Sequence, residues 1–329
     1  MVKLNTHKHL GLHLTYNLDC SVHVHHVCLR ANRKLAVLRS VKMLKRHTLD
    51  LLYKLTVRSC IDYALPVYYH SLKVTEKAKL SKIQYTAGKI VSGALHLTGK
   101  ETLNNELSWE SIETRADFLG LSIFHKIAKN DTRPLIRDCM PKRKFYPDTL
   151  RSGDFIQFKF KGQRFALSFF PLFTKKYNLL KSETKKLNTE DFKVKLSADM
   201  KPFKQKHFSY GYTKHANILL TQIRVGNSFL KAHSYIRGHS DTNICSFCDQ
   251  DKIENSKHFL IRCPHFAVMR RTLFDQIEQY FIPKFKSLSI NRQFEILIYG
   301  YEPNNPELKR INGKIMLLTQ TYILKTKQF

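Results

Sequence analysis

Residues 24–39 read "VHHVCLRANRKLAVLR". Val24, Val27, Ala31, Leu35 and Leu38 recur at spacings of three and four, which places apolar side chains along one face of an α-helix. Arg30, Arg33, Lys34 and Arg39 fall on the opposite side. The stretch therefore sets two expectations: a helical fold, and a basic outer surface on it.

Neighbouring segments extend the pattern. On the amino-terminal side, residues 8–18 read as a short strand with a turn. On the carboxy-terminal side, Thr48 is expected to cap a second helix holding Leu51, Leu52 and Leu55. Tyr63 to Pro66 should end it, because proline disfavours helix at the residue before it. Thr75 is the expected cap of a third helix, with Leu80, Ile83, Ala87, Ile90 and Val91 as its stripe and Gly93 as its stop. Lys77, Lys79, Lys82 and Lys89 are its basic residues. A fourth helix starts near Ser111 and carries Ile112, Ala116, Leu119, Ile123 and Ile127 on one face.

After Pro134 the composition changes. Pro141, the basic run at 142–144 and Pro147 mark a linker. In residues 155–170, Ile156, Phe158 and Phe160 alternate with Gln157, Lys159 and Lys161, and Phe165, Leu167 and Phe169 resume the alternation beyond Gly162. A period of two predicts a β-hairpin with one buried face. Residues 175–206 are lysine-rich and expected as solvated helix or loop. Helical character returns at 214–236, again around Phe266, Met269, Leu273 and Ile277, and at 308–325, with a loop from Glu302 to Pro306 between the last two. The expected fold is mainly α. Its parts are a strand region (1–20), a helical domain (21–140), a linker with the hairpin (141–206), a small helical module (207–285) and a tail with a short helix (286–329).

Charge narrows the function. Lys and Arg number 56 against 26 Asp and Glu, a formal net charge of +30. Such an excess points to a polyanionic partner, most often nucleic acid and less often an anionic membrane surface. A chain of 329 residues with 43% hydrophobic residues has enough apolar material to bury a sizeable core, in two or so modules. No run of 18 apolar residues predicts a membrane span, and the start lacks the apolar stretch of a signal peptide. Seven cysteines are an odd number, and Cys20, Cys28, Cys60 and Cys139 are scattered. That usage fits a reducing compartment, cytosol or nucleus, rather than a disulfide scaffold.

The other three cysteines cluster in "CSFCDQDKIENSKHFLIRC", residues 245–263. Cys245, Cys248, His258 and Cys263 have the spacing Cys-x2-Cys-x9-His-x4-Cys. Thiolate and imidazole are the ligands zinc favours, and four of them leave no open position, so the expected role is structural. The gain would be stability for a segment with little core of its own. His265 is an alternative to His258 as the third ligand; buried cysteines without metal and a redox Cys-x-x-Cys are the other readings. Catalytic alternatives find less support. No His-x-Glu precedes the cysteines, as a zinc deaminase requires, and no Gly-x-Ser-x-Gly elbow is present. Glu307 and Lys309 have the spacing of a nuclease carboxylate–lysine pair but lack a persuasive further Asp, and read better as a solvated helix start.

Several segments resemble a known family in the right order along the chain. "HLGLHLTYNLDCSVHVHHVCLRANRKLAVLRSV" is similar to the segment after the polymerase palm in reverse transcriptases of non-LTR, LINE-type (Jockey-like) retrotransposons. "LYKLTVRSCIDYALPVYYHSL" resembles the family's thumb pattern at Tyr53, Arg58, Asp62, Tyr63 and Ala64. "KLSKIQYTAGKIVSGA" looks like the next thumb helix at Leu80, Ile83, Gln84, Ala87, Ile90 and Gly93. "ELSWESIETRADFLGLSIFHKI" matches a further segment at Leu107, Trp109, Ile112 and Arg115. "LLTQIRVGNSFLKAHSYIRG", the Cys-Cys-His-Cys cluster and the tail "LKTKQF" are similar to the carboxy-terminal region of the same polyproteins.

The resemblance implies a helical thumb, a zinc-pinned carboxy-terminal module and a nucleic-acid partner, an RNA–DNA hybrid in the parent enzyme. It also marks a departure. The family's polymerase holds two magnesium ions on aspartates that include an Asp-Asp pair, and this sequence has no Asp-Asp pair. The chain is thus expected to start after the catalytic palm and to have no catalytic residues or magnesium of its own. A palm-containing polypeptide of the same element is a further expected partner. Nuclear or cytoplasmic location follows. Its own contacts would be with phosphates, through Arg30, Arg33, Lys34, Arg39, Lys42, Lys45 and Arg46, with Lys82 and Lys89 as a second row. The Phe155–Phe170 region would offer stacking platforms, though core packing explains most of its aromatics better.

Overall fold

The apolar stripe of residues 24–38 lies on one face of a helix spanning Ser21–Ser40, and all five of its members are buried. In the computed structural model, residues 6–129, 134–142, 154–200, 213–302, 305 and 307–327 are described. The fold is mainly α. The expectations at Arg143, Lys144, Pro147, 201–206, Pro303, Asn304, Pro306 and the last two residues fall outside the described residues.

Two strands precede the first helix, Thr6–His9 and Leu12–Thr15, paired antiparallel with His9 opposite Leu12. The turn is Leu10–Gly11, both at positive φ (45° and 82°), the conformation that joins a tight hairpin. The Tyr63 hydroxyl donates to the Leu10 carbonyl and ties this hairpin down.

The chain divides into two units, each built from separated stretches. The first is Met1–Val37, Leu52–Gln84 and Glu110–Pro202; the second is Leu38–Leu51, Tyr85–Trp109 and Phe203–Phe329. The linear partition at 140, 206 and 285 is therefore not the compact one. In particular, 286–329 is no tail. It supplies the helices Ile290–Tyr299 and Lys309–Lys325, whose Ile296, Leu297, Ile315, Met316 and Ile323 belong to the main core of the second unit. The last helix does cover the expected 308–325.

Within the first unit, the helix Ile112–Ala128 is capped at Ser111, whose hydroxyl accepts from the Thr114 N–H at 3.0 Å. It packs Leu121 and Phe124 against Phe155, Phe173, Tyr177, Phe192 and Leu196. Gly120 lets Phe173 approach; a Cβ there would lie 1.9 Å from the ring tip. The last four partners come from the helices Phe169–Asn178 and Thr189–Met200. So the lysine-rich stretch is not merely solvated, and its described part contributes two helices with buried aromatics.

The β-hairpin expected at 155–170 does not form. Residues 156–160 have no regular structure, and Gln163–Ala166 and Phe169–Asn178 are helical. No member of the alternating set is deeply buried: Ile156, Phe160 and Phe165 are about half exposed, and the buried residue is their neighbour Phe155. The backbone of Phe155 is bonded by a side chain. Its N–H donates to Asn178 Oδ1 at 3.0 Å, and its carbonyl accepts from Asn178 Nδ2 at 2.8 Å. One amide thereby satisfies both backbone groups of a buried residue.

The second helix is also registered differently. It runs Arg46–Leu52 and continues as a π-helix, Tyr53–Arg58. Thr48 lies inside it and caps nothing. Leu49, Tyr53, Val57 and Ile61 are buried, whereas Leu51 and Leu55 face solvent. Ala64, in the left-handed region at φ 54°, and Pro66 then redirect the chain as expected. The third helix, Val74–Ser92, takes no cap from Thr75, which falls within it, and is followed by Gly93 at φ +71°. The segment 214–236 is two helices, Lys214–Arg224 and Lys231–Ile236, parted around Gly226. The helix Lys100–Leu107 was not anticipated.

Candidate metal centre

Four ligand atoms converge. Those of Cys245, Cys248, His258 and Cys263 all lie within 4.8 Å of one another. Cys245 Sγ is 3.9 Å from Cys263 Sγ, and Cys248 Sγ is 3.4 Å from His258 Nε2. A tetrahedral zinc ion with usual bond lengths would set S–S edges of about 3.8 Å and S–N edges of about 3.5 Å. The two observed pairs match those edges. The sulfurs are too far apart for a disulfide, and all seven cysteines are free. His265, the alternative ligand, instead packs its ring against Phe247 and Phe266.

Local structure explains the convergence. Ile244 and Ile253 form an isolated antiparallel bridge, with Cys245 N–H donating to the Lys252 carbonyl at 2.9 Å. This small loop returns through Asp251 at φ 47° and holds the first two cysteines. His258 and Cys263 are five residues apart, a separation that an α-helix would place on different faces. The chain widens here into a π-helix, His258–Arg262, and Cys263 N–H donates to the His258 carbonyl at 2.7 Å. An i→i+5 bond stacks residues five apart, so the π turn is what aligns the third and fourth ligands. Asn255 fixes its entry by accepting from the His258 N–H at 2.9 Å.

The surroundings are mostly dry. Cys245, His258 and Cys263 are buried and Cys248 is half-buried. Burial pushes the Cys245 thiol up to about 12 and also raises Cys263. Burial, then the charges of Arg270 and Arg262, lowers His258, which keeps its imidazole neutral as a ligand must be. Cys245 and Cys263 are thus poor acids on their own; a divalent cation would supply the positive charge that releases their protons. With four protein ligands the site has no position for substrate, so it can crosslink but not catalyse.

Sequence reasoning did not find the groups around the ligands. Buried Glu254 lies 3.7 Å from Cys245 Sγ and accepts from the Lys231 N–H at 2.7 Å. Arg270 donates to the Cys263 carbonyl at 2.9 Å. The Tyr322 hydroxyl donates to the Phe259 carbonyl at 3.1 Å, joining the ligand turn to the last helix. Cys245, Phe259, Leu260, Cys263 and Phe266 are themselves part of the second unit's core. The segment is thus not short of core, as expected from sequence; it is walled by one.

The basic candidates are more dispersed. Arg30, Arg33 and Lys34 are exposed on the Ser21–Ser40 helix, Arg39 closes its last turn, and Lys42 and Lys45 are exposed beyond it. Arg46 is different. It is turned inward onto Glu106, with Nη1 2.7 Å from the carboxylate and Nη2 donating to the Glu106 carbonyl at 2.6 Å. Lys82 is exposed, and Lys89 lies over the Tyr85 ring at 4.7 Å.

Arg58, Asp62, Trp109 and Arg115 act as internal ties. Asp62 and Glu110 lie between Arg58 and Arg115, with Arg115 Nη2 2.9 Å from Asp62 and Arg58 Nη1 3.6 Å from Glu110. Gln84 donates to the Glu110 carbonyl at 2.9 Å, and Trp109 Nε1 to Asp50 at 2.7 Å. Glu307, exposed at a helix start, joins no cluster that could hold a metal among the described residues. No helix is long and apolar enough to cross a membrane among the described residues. Comparison with protein-family models, with curated proteins and with solved structures finds no match to this chain.

Proposed function

We propose that this chain is a nucleic-acid-binding protein that contacts backbone phosphates with little regard to sequence, and that a structural zinc ion fixes its second unit. The observation that carries the reading is the charge of +30, with Arg30, Arg33 and Lys34 exposed at helical spacing on a single helix. Lysine and arginine so placed meet phosphates without reading base edges. The resemblance to the thumb and carboxy-terminal part of LINE-type reverse transcriptases supports the same conclusion. On this reading the chain corresponds to the thumb and carboxy-terminal part of such an enzyme. It is catalytically inactive by itself, binds RNA, DNA or their hybrid, works in the nucleus or cytoplasm, and meets a palm-containing polypeptide of the same element. Magnesium belongs to that polypeptide.

The test is fluorescence anisotropy with short single-stranded RNA, single-stranded DNA and an RNA–DNA hybrid of scrambled sequences over a salt series. The binding constant should fall linearly on a log–log plot, by about 0.7–0.9 per phosphate contacted, with little dependence on sequence. Replacing Arg30, Arg33 and Lys34 together by Gln should weaken binding and flatten the slope. Absence of binding at low salt, or binding indifferent to salt, would sink the proposal.

A further inference from the structure

Beyond the exposed row, the second unit holds a recess of about 200 Å³ whose polar wall includes Lys45, Arg46, His47, Thr213, Lys214 and Asn217. No carboxylate lines it among the described residues. The acid that meets the lining residue Arg46 is Glu106, and it is already engaged twice. Arg46 meets it at 2.7 Å, and Arg224 meets it at 2.8 Å through Nη2. Two guanidiniums on one carboxylate leave a positive charge over, before Lys45 and Lys214 are considered. Neither lysine has a carboxylate partner among the described residues. Burial, then the neighbouring charge of Lys42, holds Lys214 below the usual lysine range. A half-buried ammonium beside like charge and without a counter-ion is a deficit that a bound anion would relieve.

The backbone adds to the same field. The first turn of the Lys214–Arg224 helix forms one wall of the recess. Thr213 caps this helix by accepting from the Ala216 N–H at 3.2 Å, and Asn217 N–H reaches the Thr213 carbonyl at 3.2 Å. The N–H groups of Lys214 and His215 have no intrahelical acceptor, as in any first turn, and the dipole there favours negative charge. The volume is several times the roughly 30 Å³ of a water molecule, enough for a tetrahedral oxyanion with solvent.

We propose that this recess seats a single phosphate group, held by Lys45 and Lys214 at the start of the Lys214–Arg224 helix. Its natural occupant, which rests on the nucleic-acid reading above, is a backbone phosphodiester. Arg46 stays on Glu106 and shapes the floor. The recess then acts as an anchor point, distinct from the open row at Arg30, Arg33 and Lys34.

Two arms test this on the full zinc-loaded chain. In the first, the melting temperature is measured in millimolar inorganic phosphate against chloride of matched ionic strength. Phosphate should raise it, and the Lys45→Gln/Lys214→Gln double variant should lose the rise, while Lys45→Arg/Lys214→Arg keeps it. In the second, affinity for a short single-stranded RNA is measured in the same proteins. The Gln variant should bind about tenfold more weakly, with a log–log salt slope smaller by about 1. The Arg variant guards against a folding artefact, since it retains the charge. If wild type binds no RNA but is stabilised by phosphate through these lysines, the nucleic-acid reading fails and the recess stands as a site for free phosphate. If RNA binds and neither readout responds to the Gln variant, the recess proposal is overturned and the nucleic-acid reading survives.

Discussion

Glu106 shows what a single residue can decide in this fold. It is 3% exposed and faces the guanidiniums of Arg46 and Arg224, the latter 5% exposed. Removing one partner of a buried charged group leaves the rest uncompensated in a poor dielectric. Glu106→Gln keeps the shape but strands two arginines, and urea denaturation should record a loss of about 3 kcal/mol. Sequence showed Glu106 only as one polar residue of a short segment, because nothing local tells that residues 46 and 224 converge on it.

His125 is a second buried polar group, and its chemistry gives a pH dependence. Its ring stacks on Phe192 at 3.8 Å, and its Nε2 lies 3.0 Å from the Leu187 carbonyl, which can only accept. Nε2 therefore carries the proton, and Nδ1 accepts from the Tyr177 hydroxyl at 3.0 Å. Burial lowers His125 from 6.5 to about 4, and His23 is lowered to about 4 by the same cause. A folded state that binds the proton more weakly than the unfolded chain is fully favoured above 6.5 and loses stability as the pH falls toward 4. Each histidine should contribute up to about 1.4 kcal/mol per pH unit across that window. Thermal melts in that window should show the slope, reduced in His125→Gln.

At the scale of elements, legibility followed how local the determining forces are. The Ser21–Ser40 helix was plain because its stripe is long and unbroken. The Ile112–Ala128 helix was plain because Ser111 caps it with its own side chain. Both π segments were invisible: one continues the helix whose buried residues are Leu49, Tyr53 and Val57 rather than Leu51 and Leu55, and the other brings His258 beneath Cys263. The alternation at Ile156–Phe160 is real, but a strand needs a partner; those residues have no regular structure, and the adjoining Phe155 bonds the Asn178 side chain. Helix packing makes its own prediction at Gly120. Alanine is the better helix former, yet its Cβ would fall 1.9 Å from the Phe173 ring, which is fully buried. Gly120→Ala should therefore destabilise the first unit by about 1–3 kcal/mol, as overpacked cores do. A smaller partner, Phe173→Leu, should partly restore the loss in the double variant; unchanged or raised stability of Gly120→Ala would contradict the packing described.

At the scale of the molecule, composition indicated a basic protein, periodicity a helical one, and spacing picked out the four residues that converge on a candidate metal centre. The two units were not legible, since each gathers stretches far apart in sequence and only long-range packing joins them. The candidate metal centre ties these scales together: a π turn, a bridged loop and the core of the second unit meet at four atoms that could hold a metal ion. The direct test is zinc content per mole of purified, reduced chain, with a chelator melt beside it and the Cys245→Ser/Cys248→Ser variant as control. The account predicts about one zinc per chain, lost in the variant, and a lower melting temperature when the metal is stripped. A folded chain that carries no zinc, and melts at the same temperature with chelator as without, would contradict it.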